Sequence, residues 1–264
     1  MDDKAHERER QFTRTRAAYA SDKHPETWTG QLYPGLYETG LHVVTGPGAL
    51  RWATGVGVEV AVRGAAVRVL STCNGHAGAF ESAARRRGAG GADIKYAIPA
   101  AANSPADALF HAIVHAGVVP PDLVIITDRD AAQALTDASS DARLAPARRT
   151  GAYRDTCLPM LLAAASAQCC VLIVDAGFDP RNYSDPAAYL CDVALDVDRT
   201  GTSDGTALAV SVATDTRGVL GGRGEYGTFH AMTVPGSDVG VAAPDGRRYS
   251  LGPEIITSFI PAQV

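Results

Sequence analysis

Two short runs constrain this chain more than anything else in it: "DLVIIT" at residues 122–127 and "CVLIVDA" at residues 170–176. Each is apolar at every consecutive position between its polar ends. A strand of that kind must be buried on both faces, which points to the middle of a parallel sheet covered by helices. The segments ahead of them have a helical period. "SPADALFHAIVHAG" offers Ser104 as an N-cap, Pro105 at the first helical position and Gly117 as a stop. "CLPMLLAAASA" predicts a second helix starting at Cys157. Helix, strand, helix, strand is the pattern of an α/β fold with a mixed, largely buried sheet packed by helices.

Residues 1–100 have another texture. "AHERERQFTRTRAAYA" is polar and helical, and "SDKHPETWTG" reads as loop. "QLYPGLYETGLHVVTGPGALRWATG" is rich in Gly and Pro and predicts short strands and turns. "VGVEVAVRGAAVRVLST" alternates over Val56–Arg63 and again over Ala66–Leu70, the pattern of a β-hairpin turning near Gly64. "HAGAFESAARRRG" predicts a short helix ending at Gly88, and "GGADIKYAIPAA" a strand. Further on, the Asp-Gly turn of "TSDGTALAVSVAT" opens a strand, and the tail "PDGRRYSLGPEIITSFIPAQV" reads as a turn and one short helix. The expected organisation is an atypical, partly β N-terminal segment over 1–100 and an α/β domain over 101–264.

Composition narrows the function classes. The net charge is −5 with only three lysines, Lys4, Lys23 and Lys95, so no basic stripe points to nucleic acid. Five cysteines, an odd number without a CxxC pair, and the charged start "MDDKAHERER" favour free thiols in a cytoplasmic protein. The longest uncharged run, Thr156–Val174, contains Pro159, Ser166 and Gln168 and reads as helix then strand, so no membrane span is expected.

Among candidate chemical groups, Cys157 comes first. A thiolate at a helix N-terminus is stabilised by the helix dipole and by unpaired backbone N–H groups, which lowers its pKa and makes it a nucleophile. The plain alternative is a small buried core residue. A second segment, "LSTCNGHAGAFESA", places Cys73 three residues before His76, a weaker nucleophile and base pair whose simpler reading is a helix start capped by Asn74. His111 and His115 lie four apart on one helix, but no third ligand accompanies them. "GVLGGRGEYG" at 218–227 is Gly-rich without running from strand to helix, so it does not read as a phosphate cradle. Lys95 lies inside an expected strand and offers no setting for a Schiff-base cofactor.

The succession "ADALFHAIVHAGVVPPDLVIITDRD", "DTCLPMLLAAASA", "CVLIVDAGFDP" and "TSDGTALAVSV" resembles the N-terminal half of the thiolase fold, closest in pattern to β-ketoacyl-(acyl carrier protein) synthase III and related acyltransferases. The resemblance implies a thiolase-like half-fold, with the C-terminal half missing and Cys157 as the acylated nucleophile. It implies an acyl group taken from coenzyme A or an acyl carrier protein and passed to an acceptor, in secondary metabolism, without a bound cofactor. His230, in "GTFHAMTVPG", is then the one histidine left as a base, although it comes too early for the family's catalytic histidine. A homodimer is expected. The second expectation, from another class, is a non-catalytic thiolase-like subunit that binds a partner subunit or a carrier protein, because a half-fold leaves an apolar face to be covered.

Overall fold

The computed structural model describes residues 31–70, 75–88, 94–97, 121–127, 169–175, 178–179, 191–202, 205–218, 220, 223–233, 239–242, 248–251 and 254–263. The elements before residue 100 are β1 (Gln31–Tyr33), β2 (Leu36–Tyr37), β3 (Gly40–Thr45), α1 (Ala49–Val62), β4 (Val67–Leu70), α2 (Gly75–Arg86) and β5 (Ile94–Ala97). After it come β6 (Leu123–Ile126), β7 (Cys170–Val174), β8 (Val193–Thr202), β9 (Gly205–Asp215), β10 (Gly224–Thr233), β11 (Val239–Ala242), β12 (Arg248–Leu251) and β13 (Glu254–Pro261).

Nine strands form one sheet in the order β13-β10-β9-β8-β3-β7-β6-β4-β5. From β8 to β5 every neighbour is parallel. From β8 outward to β13 the pairing is antiparallel. The α/β class and the buried character of β6 and β7 therefore stand as read from their continuous apolar runs. Strands from before residue 100 (β3, β4 and β5) pair in the same sheet as β6 and β7.

One sheet face carries Val44, Val67, Val69, Leu123, Ile125, Leu172, Val174 and Leu195, packed with Trp52, Val56 and Val60 of α1 and Phe80 of α2. The neighbouring strand positions Leu41, Val43, Val124, Ile126, Val171 and Ile173 point to the other face and are buried as well. Burial on both faces is what selects an unbroken apolar strand.

Two expectations fail here. Val56–Val62 is not the first arm of a hairpin but the second half of α1, and only Val67–Leu70 is a strand. The alternating valines are buried all round the helix, Val58 on one side and Val56 and Val60 on the other, so the period of two carries no solvent-facing side. A helix apolar on every side belongs in a core, and tertiary burial overrides the β preference of valine. Gly57 lets this helix lie close, since a methyl group there would sit 2.6 Å from Ile125 Cδ1 and 3.0 Å from Phe80 Cε1. The tail is likewise not helical. Ile255 and Ile256 are buried in β13, and Phe259 of that strand packs on Phe229 of β10 at 4.5 Å between centroids.

Candidate functional site

In open parallel sheets ligands bind beyond the carboxyl ends of the strands, where successive connections leave in opposite directions. Here that place lies between β3 and β7: the chain leaves β3 toward β4 on one side and leaves β7 toward β8 on the other. The connection from β3 is Gly46-Pro47-Gly48, directly between a buried strand and a helix. A strand, a glycine-rich loop and a helix are the parts of a phosphate-binding loop, in which backbone N–H groups cradle phosphate, a Lys follows the last glycine, and a Ser or Thr comes after it. In this chain Ala49 and Leu50 follow Gly48.

The loop is also closed onto its neighbour. Gly48 N–H donates to Val197 O of β8 at 2.9 Å, Ala49 N–H donates to Gly46 O at 3.2 Å, and Pro47 has no N–H. Gly46 sits at φ 92, where a methyl group would lie 2.5 Å from Asp196 Oδ1 and 2.6 Å from Val197 O. The glycines thus permit close approach of the loop to a protein strand. Around it, Asp175 N–H donates to Val44 O at 3.0 Å, and the Thr45 hydroxyl donates to Phe178 O at 3.3 Å. The alternation of Val56–Val62, which reads as strand, hides this strand–loop–helix in the sequence. The signal that would have found it is the apolar run "LHVV" followed at once by "TGPG".

A second polar cluster lies at the opposite, amino end of the same strands. His42 of β3 is wholly buried, and its Nε2 accepts from Tyr37 N–H at 3.1 Å while Nδ1 faces Gly40 O at 3.2 Å and Cys170 Sγ at 3.5 Å. A backbone amide can only donate and a carbonyl can only accept, so the two partners fix the neutral Nδ1–H tautomer. Burial lowers the imidazole to a pKa of about 4, against the smaller raising effects of the Gly40 carbonyl, Asp192 and Asp215. The Tyr37 hydroxyl donates to Asp215 Oδ1 at 2.7 Å, and Asp215 also accepts from Arg217 N–H at 3.0 Å and Leu220 N–H at 2.8 Å. Asp192 accepts from Leu41 N–H at 2.8 Å and pairs with Arg217 at 3.4 Å, whose guanidinium lies 4.9 Å over the Tyr37 ring.

Of the residues singled out by sequence, Cys157 and Cys73 lie outside the described residues, and only the backbone of His76 is described, in the first turn of α2. His230 lies in β10, opposite Ala207 of β9 and Ser258 of β13, with three strands between β10 and β7. Its carbonyl accepts from the Thr257 hydroxyl at 3.1 Å. The buried thiol of Cys170 is pushed well up by desolvation, the reverse of what a nucleophile needs. Among the described residues no three acidic, His or Cys side chains are grouped to hold a metal, and no helix is long and apolar enough to cross a membrane.

No protein-family model matches the sequence, and no curated protein matches it. Among solved structures the chain is similar to one described as the crystal structure of the RadB recombinase, at 16% identity and a TM-score of 0.49, over 72% of this chain and 86% of that one. The likeness is to a recombinase, not a thiolase. The thiolase and acyltransferase resemblance is corrected on that finding. Its physical weakness is that alternating helices and buried strands belong to every parallel α/β fold, so element order alone did not single out one of them.

Proposed function

We propose that this chain is a non-catalytic α/β subunit that acts by binding a partner. The acyl-transfer expectation rested on the thiolase resemblance and is not retained. The observation that carries the present reading is the closed β3–α1 connection. Its Gly48 N–H is committed to Val197 O, its glycines are packed against Asp196 and Val197, and no Lys follows it. A phosphate-binding loop needs those backbone groups free and that cation present.

The partner in this reading is a second copy of the chain, met along β13. Among the described residues that strand is one edge of the nine-stranded sheet, and Thr257, Ser258, Ile260 and Pro261 on it are exposed, with Ile260 at 55%. Edge strands are commonly guarded by charge, yet no Asp, Glu, Lys or Arg occurs from Ile255 to Val264. Beyond Glu254 the strand therefore opposes an identical edge without like-charge repulsion, and two-fold pairing is the commonest closed assembly. Titration with Mg-ATP and Mg-GTP in a calorimeter tests the non-catalytic half of the reading. No binding is expected up to about millimolar nucleotide, and a micromolar Kd would overturn it.

A further inference from the structure

The hairpin β1–β2, Gln31–Tyr37, is a lid over the helical face of the sheet. Tyr33, Leu36 and Tyr37 are all buried in the core that includes α1, and Tyr33 stacks toward Phe229 of β10 at 6.3 Å. At its turn Gly35 N–H donates to the Tyr226 hydroxyl at 3.0 Å. At its far end the hairpin is held by the bond from Tyr37 N–H to His42 Nε2 and by the Tyr37 hydroxyl on Asp215.

We propose that His42 is an acid-operated latch on this hairpin: a proton on Nε2 puts a donor against the Tyr37 N–H donor and releases the Gln31–Tyr37 segment from α1.

The geometry leaves the added proton nowhere to go. Both ring nitrogens already have partners, and the partner of Nε2 cannot accept. The groups that face the imidazole do not rescue the cation in place. The Tyr37 ring of β2 lies tilted at 61° to the imidazole, 5.6 Å between centroids, and β7 presents the Cys170 thiol, with Cys169 beside it. Asp192 ahead of β8 and Asp215 at the end of β9 favour the charge, but each is already engaged by backbone donors, and Arg217 opposes it. A pKa held down to about 4 in the closed form, against 6.5 for an ordinary histidine, makes the closed form the one that rejects the proton. The closed hairpin is therefore fully favoured above about pH 6.5 and loses that advantage as pH falls toward 4.

Hydrogen exchange of the full chain, read by mass spectrometry at about pH 7 and about pH 4.5 and corrected for intrinsic rates, tests the latch. Protection of the 31–37 segment is expected to fall roughly 50-fold between the two, from a pKa of about 4 closed and about 6.5 open, while β6 and β7 stay protected. His42→Gln, whose amide can accept from Tyr37 and donate to Gly40 without titrating, is expected to keep the hairpin protected at both pH values. An equal loss in wild type and His42→Gln, or a loss at every strand together, overturns the proposal. Should the variant not fold, the wild type alone decides. The His42 ring nitrogen shift and the Tyr37 amide signal must titrate together by NMR, and an amide indifferent to the imidazole refutes the latch.

Discussion

Gly46 is the residue on which the closed loop turns. Its φ of 92 already excludes an ordinary side chain, and of the two atoms nearest an added methyl one is backbone, Val197 O at 2.6 Å, which cannot rotate away. Gly46→Ala is expected to destabilise by at least about 2 kcal/mol, combining left-handed strain with the clash, as read from denaturant midpoints at unchanged m. A smaller loss would mean that the loop has room to open. At this scale the sequence was least legible. The Gly-Pro-Gly run is visible to any reader, but whether its amides face an anion or a neighbouring strand depends on β8, about 150 residues further on. The nucleophile candidates Cys157 and Cys73 lie outside the described residues.

At the scale of elements, an ion pair with little exposure on its acidic side ties α1 to the end of α2. Arg87, just past α2, bonds Glu59 of α1 through two nitrogens, Nη2 to Oε2 at 2.7 Å, with the carboxylate side chain 8% exposed and the guanidinium 38%. Removing one partner should cost more than removing both, because the carboxylate is then left without a counter-charge. Arg87→Met is expected to lose about 1–3 kcal/mol, and Glu59→Leu with Arg87→Met to recover most of it, in a double-mutant cycle followed by thermal melts. Strictly additive losses would show that the pair contributes nothing. The elements themselves were legible where burial has one meaning: β6, β7 and β9 were read from apolar runs and alternation, and α2 from its stop at Gly88, which has φ 82. They were misread where two elements share a pattern. "VGVEVAV" alternates as a strand does, and only a core wrapped round it makes it helix. The tail "PDGRRYSLGPEIITSFIPAQV" reads as a turn and one short helix, whereas pairing with β10 makes Glu254–Pro261 a strand.

For the whole molecule, the edge at β13 has a direct consequence for mass. Light scattering on a sizing column is expected to return twice the 27.5 kDa of one chain. Ile260→Lys is expected to return the single-chain mass with stability changed by no more than about 0.5 kcal/mol, since an exposed edge lysine blocks strand pairing and touches no core. A monomeric wild type would sink the second-copy reading and leave the nucleotide test standing by itself.

The sheet order also dictates a timetable. β3 is the central strand, yet its parallel partners are β7 and β8, and His42 and Cys170 are separated by 128 residues of chain. At ribosomal rates that span takes roughly 6 to 26 s to synthesise. For that interval Leu41, Val43 and Val44 have no strand beside them, and loop closure must be completed before their pairing is rewarded. The middle of this sheet thus cannot assemble until β7 and β8 have been made, and a nascent chain must be shielded from aggregation until then.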